Sequence, residues 1–128
     1  MNRIRKNLIK AAIVANESQH SFKVGAYSPS WFVSGVNSYR SHPKSLARYN
    51  NLHAEMDLLI NNSVPTWVAT EVFVARLRKD GSLGMAMPCV YCMTMLIESN
   101  VDKVHWTINE KEYGSLKLKK NLLRVRLN

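Results

Sequence analysis

Apolar residues at Ile4, Leu8, Ala11, Ala12 and Ala15 recur at helical spacing, so the chain is predicted to open with a helix from Asn2 to about Ser18. Two short runs, Lys23–Ser28 and Trp31–Val36, flank Pro29-Ser30 and read as a β-hairpin. Ser38–Asn51 has no clear period and contains Pro43, which makes it a long loop or an irregular turn of helix. Ordered loops of that length are often functional. A second helix is predicted over His53–Asn62, with Ala54, Leu58 and Leu59 on its apolar face. Val72, Phe73 and Val74 mark Thr70–Leu77 as a strand. After a turn at Asp80-Gly81, a third helix should run from Cys89 to about Ser99, directly behind Pro88. Lys103–Ile108 reads as a strand, 109–115 as a polar connection containing Gly114, and Leu116–Lys120 as a last strand.

This order of elements suits an α/β sheet covered by helices. The final connection fixes one detail of topology. A parallel neighbour needs a crossover of about a dozen residues or more, and 109–115 is shorter, so the last two strands should be antiparallel. Without repeats, linkers or low-complexity tracts, residues 1–128 are expected to form a single domain. With 46% hydrophobic residues the chain can fill a core without disulfide staples. No apolar stretch is long enough to span a bilayer. The first residues, interrupted by Lys10 and closed by Asn16, read as an amphipathic helix rather than a secretion signal. A cytoplasmic protein with no membrane partner is therefore expected.

Charge narrows the partners. Eighteen basic residues against nine acidic ones leave a net charge of +9, which favours phosphorylated small molecules or polyanions. The basic residues gather in Arg3–Lys10, in the loop as Arg40, Lys44 and Arg48, and in Lys117–Arg126. For the last of these, alternation of Leu and Lys also describes a protected edge strand.

The chemistry is carried by two short motifs, each opening a predicted helix. His53-Ala54-Glu55 opens the second, and Pro88-Cys89-Val90-Tyr91-Cys92 opens the third. Cysteines at i and i+3 share a helix face, and the positive end of the helix favours the thiolates that bind metal. Two thiolates and an imidazole fill three corners of a tetrahedron, leaving the fourth to water, as a catalytic Zn²⁺ requires. Zinc makes that water a nucleophile near neutral pH. Glu55, two residues beyond the ligand His53, would shuttle protons without being a ligand. A Cys-x-x-Cys alone also fits a redox pair, and the three residues together also fit a structural zinc. His20, His42 and His105 are not expected to be ligands, and Met85, Met87, Met93 and Met95 are expected to pack against the sheet.

His-x-Glu followed by Pro-Cys-x-x-Cys is the hallmark of nucleobase deaminases, and on it the chain resembles the cytidine deaminase-like superfamily. Lys23-Val24-Gly25-Ala26, Ser34-Gly35-Val36-Asn37 and Val104-His105-Trp106 are similar to strands of that family, so the likeness extends from Phe22 to Ile108. The resemblance implies a three-layer α-β-α sandwich with a mixed sheet of about five strands, both motif helices lying on one face. It implies that Asn37 contacts the sugar or a base edge, that the Ala54 N–H meets a ring carbonyl, and that the Pro88 backbone oxygen lies near the leaving amine. It also implies a homo-oligomer, since related small deaminases often complete their sites with a neighbouring chain. Met93 follows Cys92 where free-cytidine deaminases commonly carry a basic residue, and no acid closely follows Asn37 to grip a ribose. The leading expectation is hydrolytic deamination of cytosine in a free nucleotide or nucleoside, with Arg40 gripping a phosphate. Deamination of cytosine or adenine in single-stranded DNA or RNA is the alternative enzyme reading. A nucleic-acid-binding module that keeps its zinc without turnover is the reading from another class.

Overall fold

The computed structural model describes residues 2–39 and 52–118. In chain order the elements are α1 (Arg3–Ala15), β1 (Lys23–Ser28), β2 (Val33–Val36), α2 (Ala54–Ile60), β3 (Thr70–Leu77), β4 (Leu83–Gly84), α3 (Val90–Glu98), β5 (Val101–Thr107) and β6 (Tyr113–Lys117). The strands form one mixed sheet in the order β2-β1-β3-β5-β6, with β4 against β3. Among the described residues only β3 and β5 pair in parallel, because α3 lies between them and supplies the crossover that a parallel pair requires.

Period-two alternation in β3 explains the layers. Phe73 and Ala75 meet Leu8, Ala11 and Ala12 of α1 on one face. Val72 and Val74 face the other way, into a core with Ala54, Leu58 and Leu59 of α2, Leu96 of α3, and Val104 and Trp106 of β5. Thus α1 covers one side of the sheet and the two motif helices cover the other, the three-layer arrangement expected from the sequence. Covered on both sides, β3 reads as a continuous apolar run.

The first helix begins where Asn2 caps it, its side chain accepting from the Arg5 N–H, and it ends at Ala15 rather than Ser18. β2 starts two residues later than expected, because Trp31 and Phe32 belong to the turn. Phe32 takes φ +54°, and the Trp31 indole N–H donates to the Val68 carbonyl at 2.9 Å. The final pair is antiparallel, as the short connection required, with Trp106 opposite Gly114. Its second strand, however, begins at Tyr113 instead of Leu116. The Asn109 side chain accepts from the N–H groups of Lys111 and Glu112 and closes the turn early. Gly114, a loop marker in the sequence, lies inside the strand because a Cβ there would overlap the Trp106 indole. The two-residue β4 had no sequence signal.

His105 is a satisfied sheet histidine, as its strand position suggested. Its Nε2 is 2.6 Å from Glu71 Oε2, its Nδ1 2.5 Å from Ser115 Oγ, and its ring stacks on Phe73. Among the described residues no helix is long and apolar enough to cross a membrane.

Candidate metal centre and its cavity

His53 is the N-cap of α2 and Cys89 the N-cap of α3, and neither side chain bonds back to its own helix. Cap side chains normally turn inward to satisfy the first-turn N–H groups. Here they turn toward each other. His53 Nδ1 lies 3.6 Å from Cys89 Sγ and 3.3 Å from Cys92 Sγ. All three ligand atoms fall within 4.8 Å of one another. A tetrahedral zinc with Zn–S of about 2.3 Å and Zn–N of about 2.0 Å separates a nitrogen and a sulfur donor by about 3.5 Å. Spacing and donor set together are consistent with a zinc site that keeps a fourth position for water.

Electrostatics agree. Burial depresses the His53 pKa and so favours the neutral imidazole, the ligating form. Burial first, then the Glu55 carboxyl and Cys89, push the Cys92 thiol far above its ordinary pKa. A thiolate at that position needs a cation beside it, and a coordinated metal supplies one. Cys92 is completely buried, and it packs with Leu52 and Met56 behind the cluster.

Glu55 stands in the first turn of α2 with 5% of its surface exposed. Burial raises its pKa to about 7, against the opposing pull of hydrogen bonds from its own backbone N–H and from Cys92. Glu55 lines a cavity of about 430 Å³ that also touches His53, Ala54 and Cys89. Metal cluster, buried acid and cavity are thereby one site, at the end of the sheet where β3 leaves it.

The remaining sequence-predicted residues fare differently. Asn37 lines the cavity, yet its amide is largely committed to the fold. Its Oδ1 accepts from the Val24 N–H at 2.9 Å and from Ser18 Oγ at 2.8 Å, and its Nδ2 donates to the Phe22 carbonyl. Pro88 is buried immediately before Cys89. Arg40, His42, Lys44 and Arg48 lie outside the described residues. The residues flanking that segment, Ser38 and Leu52, pair through two backbone hydrogen bonds of 2.9 and 3.0 Å, and both line the cavity.

Several lining residues were not anticipated. Met85 and Met87 are half exposed on the cavity wall rather than packed on the sheet; Met93 and Met95 do pack there, as expected. His20 and Phe22 also line it, the His20 ring stacked on Tyr39 at 4.0 Å and its Nδ1 accepting from the Phe22 N–H. The hairpin carried the missing signal. With Gly25 opposite Val36, the residues just before β1 and just after β2 must share one end of the sheet.

No protein-family model and no curated sequence matches this chain. Solved structures do. A dCMP deaminase from the cyanophage S-TIM5, in apo form, is similar with a TM-score of 0.57 at 21% identity, over 84% of this chain and 86% of that one. A cytidine deaminase from Burkholderia pseudomallei is similar with a TM-score of 0.61 at 20% identity, over 92% and 94%. What this chain shares with them is the fold: a cytidine deaminase-like mixed sheet between helices, here carrying a His–Cys–Cys cluster consistent with zinc.

Proposed function

We propose that this chain is a zinc-dependent hydrolase that deaminates a cytosine base in a free nucleotide or nucleoside. His53, Cys89 and Cys92 hold the ion and Glu55 moves the protons. The observation that carries the reading is a buried glutamate set in the cavity wall that also bears two of the three cluster residues. A purely structural zinc has no use for such a group. The fold likeness to two proteins named as deaminases supports it.

When bound, zinc supplies the Lewis acidity that makes water a nucleophile at neutral pH. Glu55, whose carboxylate form a neighbouring dication would favour, takes a proton from the attacking water and delivers it to the ring nitrogen. A second transfer through the same carboxyl reaches the leaving amine. The C–N bond breaks, ammonia departs, and the ring carbon keeps the water oxygen as a carbonyl. The Ala54 N–H lies in the first turn of α2, where a helix supplies no acceptor of its own, which supports its assignment to a ring carbonyl. The Pro88 carbonyl is assigned to the leaving amine. For Asn37, one N–H of its amide is left for the sugar.

Zinc-loaded protein should release ammonia from deoxycytidine or its monophosphate, and Glu55→Gln should abolish this with zinc retained. General acid–base groups contribute about two to four orders of magnitude in rate, and here one group serves several transfers. Zinc-loaded, folded protein that converts no cytosine nucleoside, nucleotide or oligonucleotide would overturn the proposal.

A further inference from the structure

A second groove of about 490 Å³ adjoins the metal-centre cavity, and Phe22 lines both. Its wall carries Arg76, Arg78 and Lys79, where β3 ends and its turn begins. Register fixes the side on which Arg76 projects. It is two residues beyond Val74, on the sheet face that bears α2 and α3, and it pairs across the strands with Val24, which lines the metal-centre cavity. The Arg76 guanidinium lies 3.7 Å from the centroid of the Phe22 ring.

These cations have no acidic partner in ion-pair contact among the described residues, whose ion pairs join Arg3 and His105 to Glu71. One acid, Asp80, shares the groove. Its Oδ1 accepts from the Ser82 N–H at 2.9 Å and hydroxyl at 2.6 Å, and Arg78 also favours its charged form, yet three cations against one carboxylate leave the groove an excess of positive charge. Lys79 also sits close enough to Tyr39 for its charge to bear on that hydroxyl, although hydrogen bonding with Ser21 is the larger influence there. Tyr39 in turn stacks on His20 of the cavity wall, and Phe22, common to groove and cavity, joins the two.

We propose that Arg76, Arg78 and Lys79 form an anion subsite that takes the phosphate of the substrate nucleotide while its base occupies the cavity beyond Phe22. Guanidinium groups suit phosphate because they present several donors in a fixed fork. The inference rests on the deaminase reading above. It leaves open by chemistry whether the phosphate is terminal, as in a mononucleotide, or a link in a single strand, and the test separates these.

The test compares kcat/KM for deoxycytidine, deoxycytidine 5′-monophosphate and a short single-stranded oligodeoxycytidylate, using the zinc-loaded full chain. Arg78→Ala and Lys79→Ala change exposed residues and should fold normally. Each should lower the monophosphate-to-nucleoside ratio about tenfold, the loss expected for one charge-assisted hydrogen bond. Arg76→Lys, keeping the charge but losing the fork, should lower it less than Arg76→Ala. Lys103→Ala, which removes an exposed charge on the opposite sheet face, should leave the ratio unchanged. For a phosphate within a strand, the oligonucleotide is the better substrate and its binding falls steeply with salt; for a terminal phosphate, the monophosphate is better. A ratio unmoved by Arg78→Ala, Lys79→Ala and Arg76→Ala overturns the subsite even if deamination is confirmed. If nothing is turned over, the deaminase reading fails and calorimetric binding judges the subsite. Monophosphate affinity weakened tenfold by Arg78→Ala or Lys79→Ala upholds it, and unchanged affinity overturns it.

Discussion

Gly35 of β2 packs backbone to backbone against Leu58 of α2: a Cβ on Gly35 would stand 2.9 Å from the Leu58 Cα and overlap its nitrogen and the Ala54 carbonyl oxygen. This close approach sets the position of the helix whose N-cap is His53. The Val36 N–H fixes the same junction by donating to Asp57 Oδ2 at 2.9 Å.

Gly35→Ala should therefore move α2 as a body, because neither main chain can yield locally. Overpacking a close contact costs about 1–3 kcal/mol, and a backbone-on-backbone clash belongs at the upper end. Displacing His53 should also weaken zinc binding at least tenfold. Urea unfolding and competition against a chromogenic chelator measure the two effects. Wild-type values in both would show that the sheet does not position the metal ligand.

Legibility in the sequence followed the range of the interaction responsible. The two motifs were readable because helix starts and i, i+3 spacing are local, and joining His53 to Cys89 and Cys92 rested on their fit as one zinc donor set and on the paired motif. The order of elements suggested a sheet covered by helices, and the three layers followed from the family resemblance. What escaped depended on contacts between distant segments. Gly114 reads as a turn residue until the Trp106 indole is seen filling the space of its missing side chain. Met85 and Met87 read as core until β4 carries them onto the cavity wall. Asn37 was assigned to a ligand by resemblance, while its partners Ser18, Val24 and Phe22 lie far enough away in sequence to leave no pattern.

That network makes Asn37 a stability residue as well as a cavity wall. Asn37→Ala leaves the Val24 N–H and the Phe22 carbonyl without their partner, and each unsatisfied group costs about 1–3 kcal/mol when desolvated. Asn37→Asp keeps the acceptor for Val24 and Ser18 and loses only the donor to Phe22. Thermal unfolding should rank wild type above Asp and Asp above Ala. An alanine variant as stable as wild type would assign the amide to substrate rather than to the fold.

Zinc content should track the three cluster residues. Purified protein should carry stoichiometric zinc, and His53→Ala, Cys89→Ala and Cys92→Ala should each lose most of it, whereas Glu55→Gln should keep it. Of these, Cys92→Ala should also destabilise the chain when metal is absent, since this fully buried side chain packs with Leu52 and Met56. Elemental analysis of all five proteins decides the first point, and denaturation in chelator the second. Full zinc in any one of the three ligand variants would remove that residue from the site.

Glu55 gives a pH signature in stability that does not depend on turnover. Its folded pKa is about 7 against an ordinary value of 4.5, so the metal-free fold prefers the protonated acid. Below about pH 4.5 both folded and unfolded chains carry that proton, and the group's relative contribution to stability is fully present. Between 4.5 and 7 the unfolded chain releases the proton while the folded chain holds it, so stability falls as pH rises, levelling off above 7. A shift of that size corresponds to about 3 kcal/mol across the window. Glu55→Gln cannot ionise and escapes this loss. In chelator, the stability of the variant relative to wild type should therefore grow by about 3 kcal/mol between pH 4 and pH 8. Saturating zinc should shrink that growth, because a dication near the carboxylate favours its charged form. Guanidinium unfolding of both proteins at several pH values, with and without zinc, measures it. A difference independent of pH in chelator would mean that the carboxyl is solvated in the folded chain and ionises at its ordinary pKa.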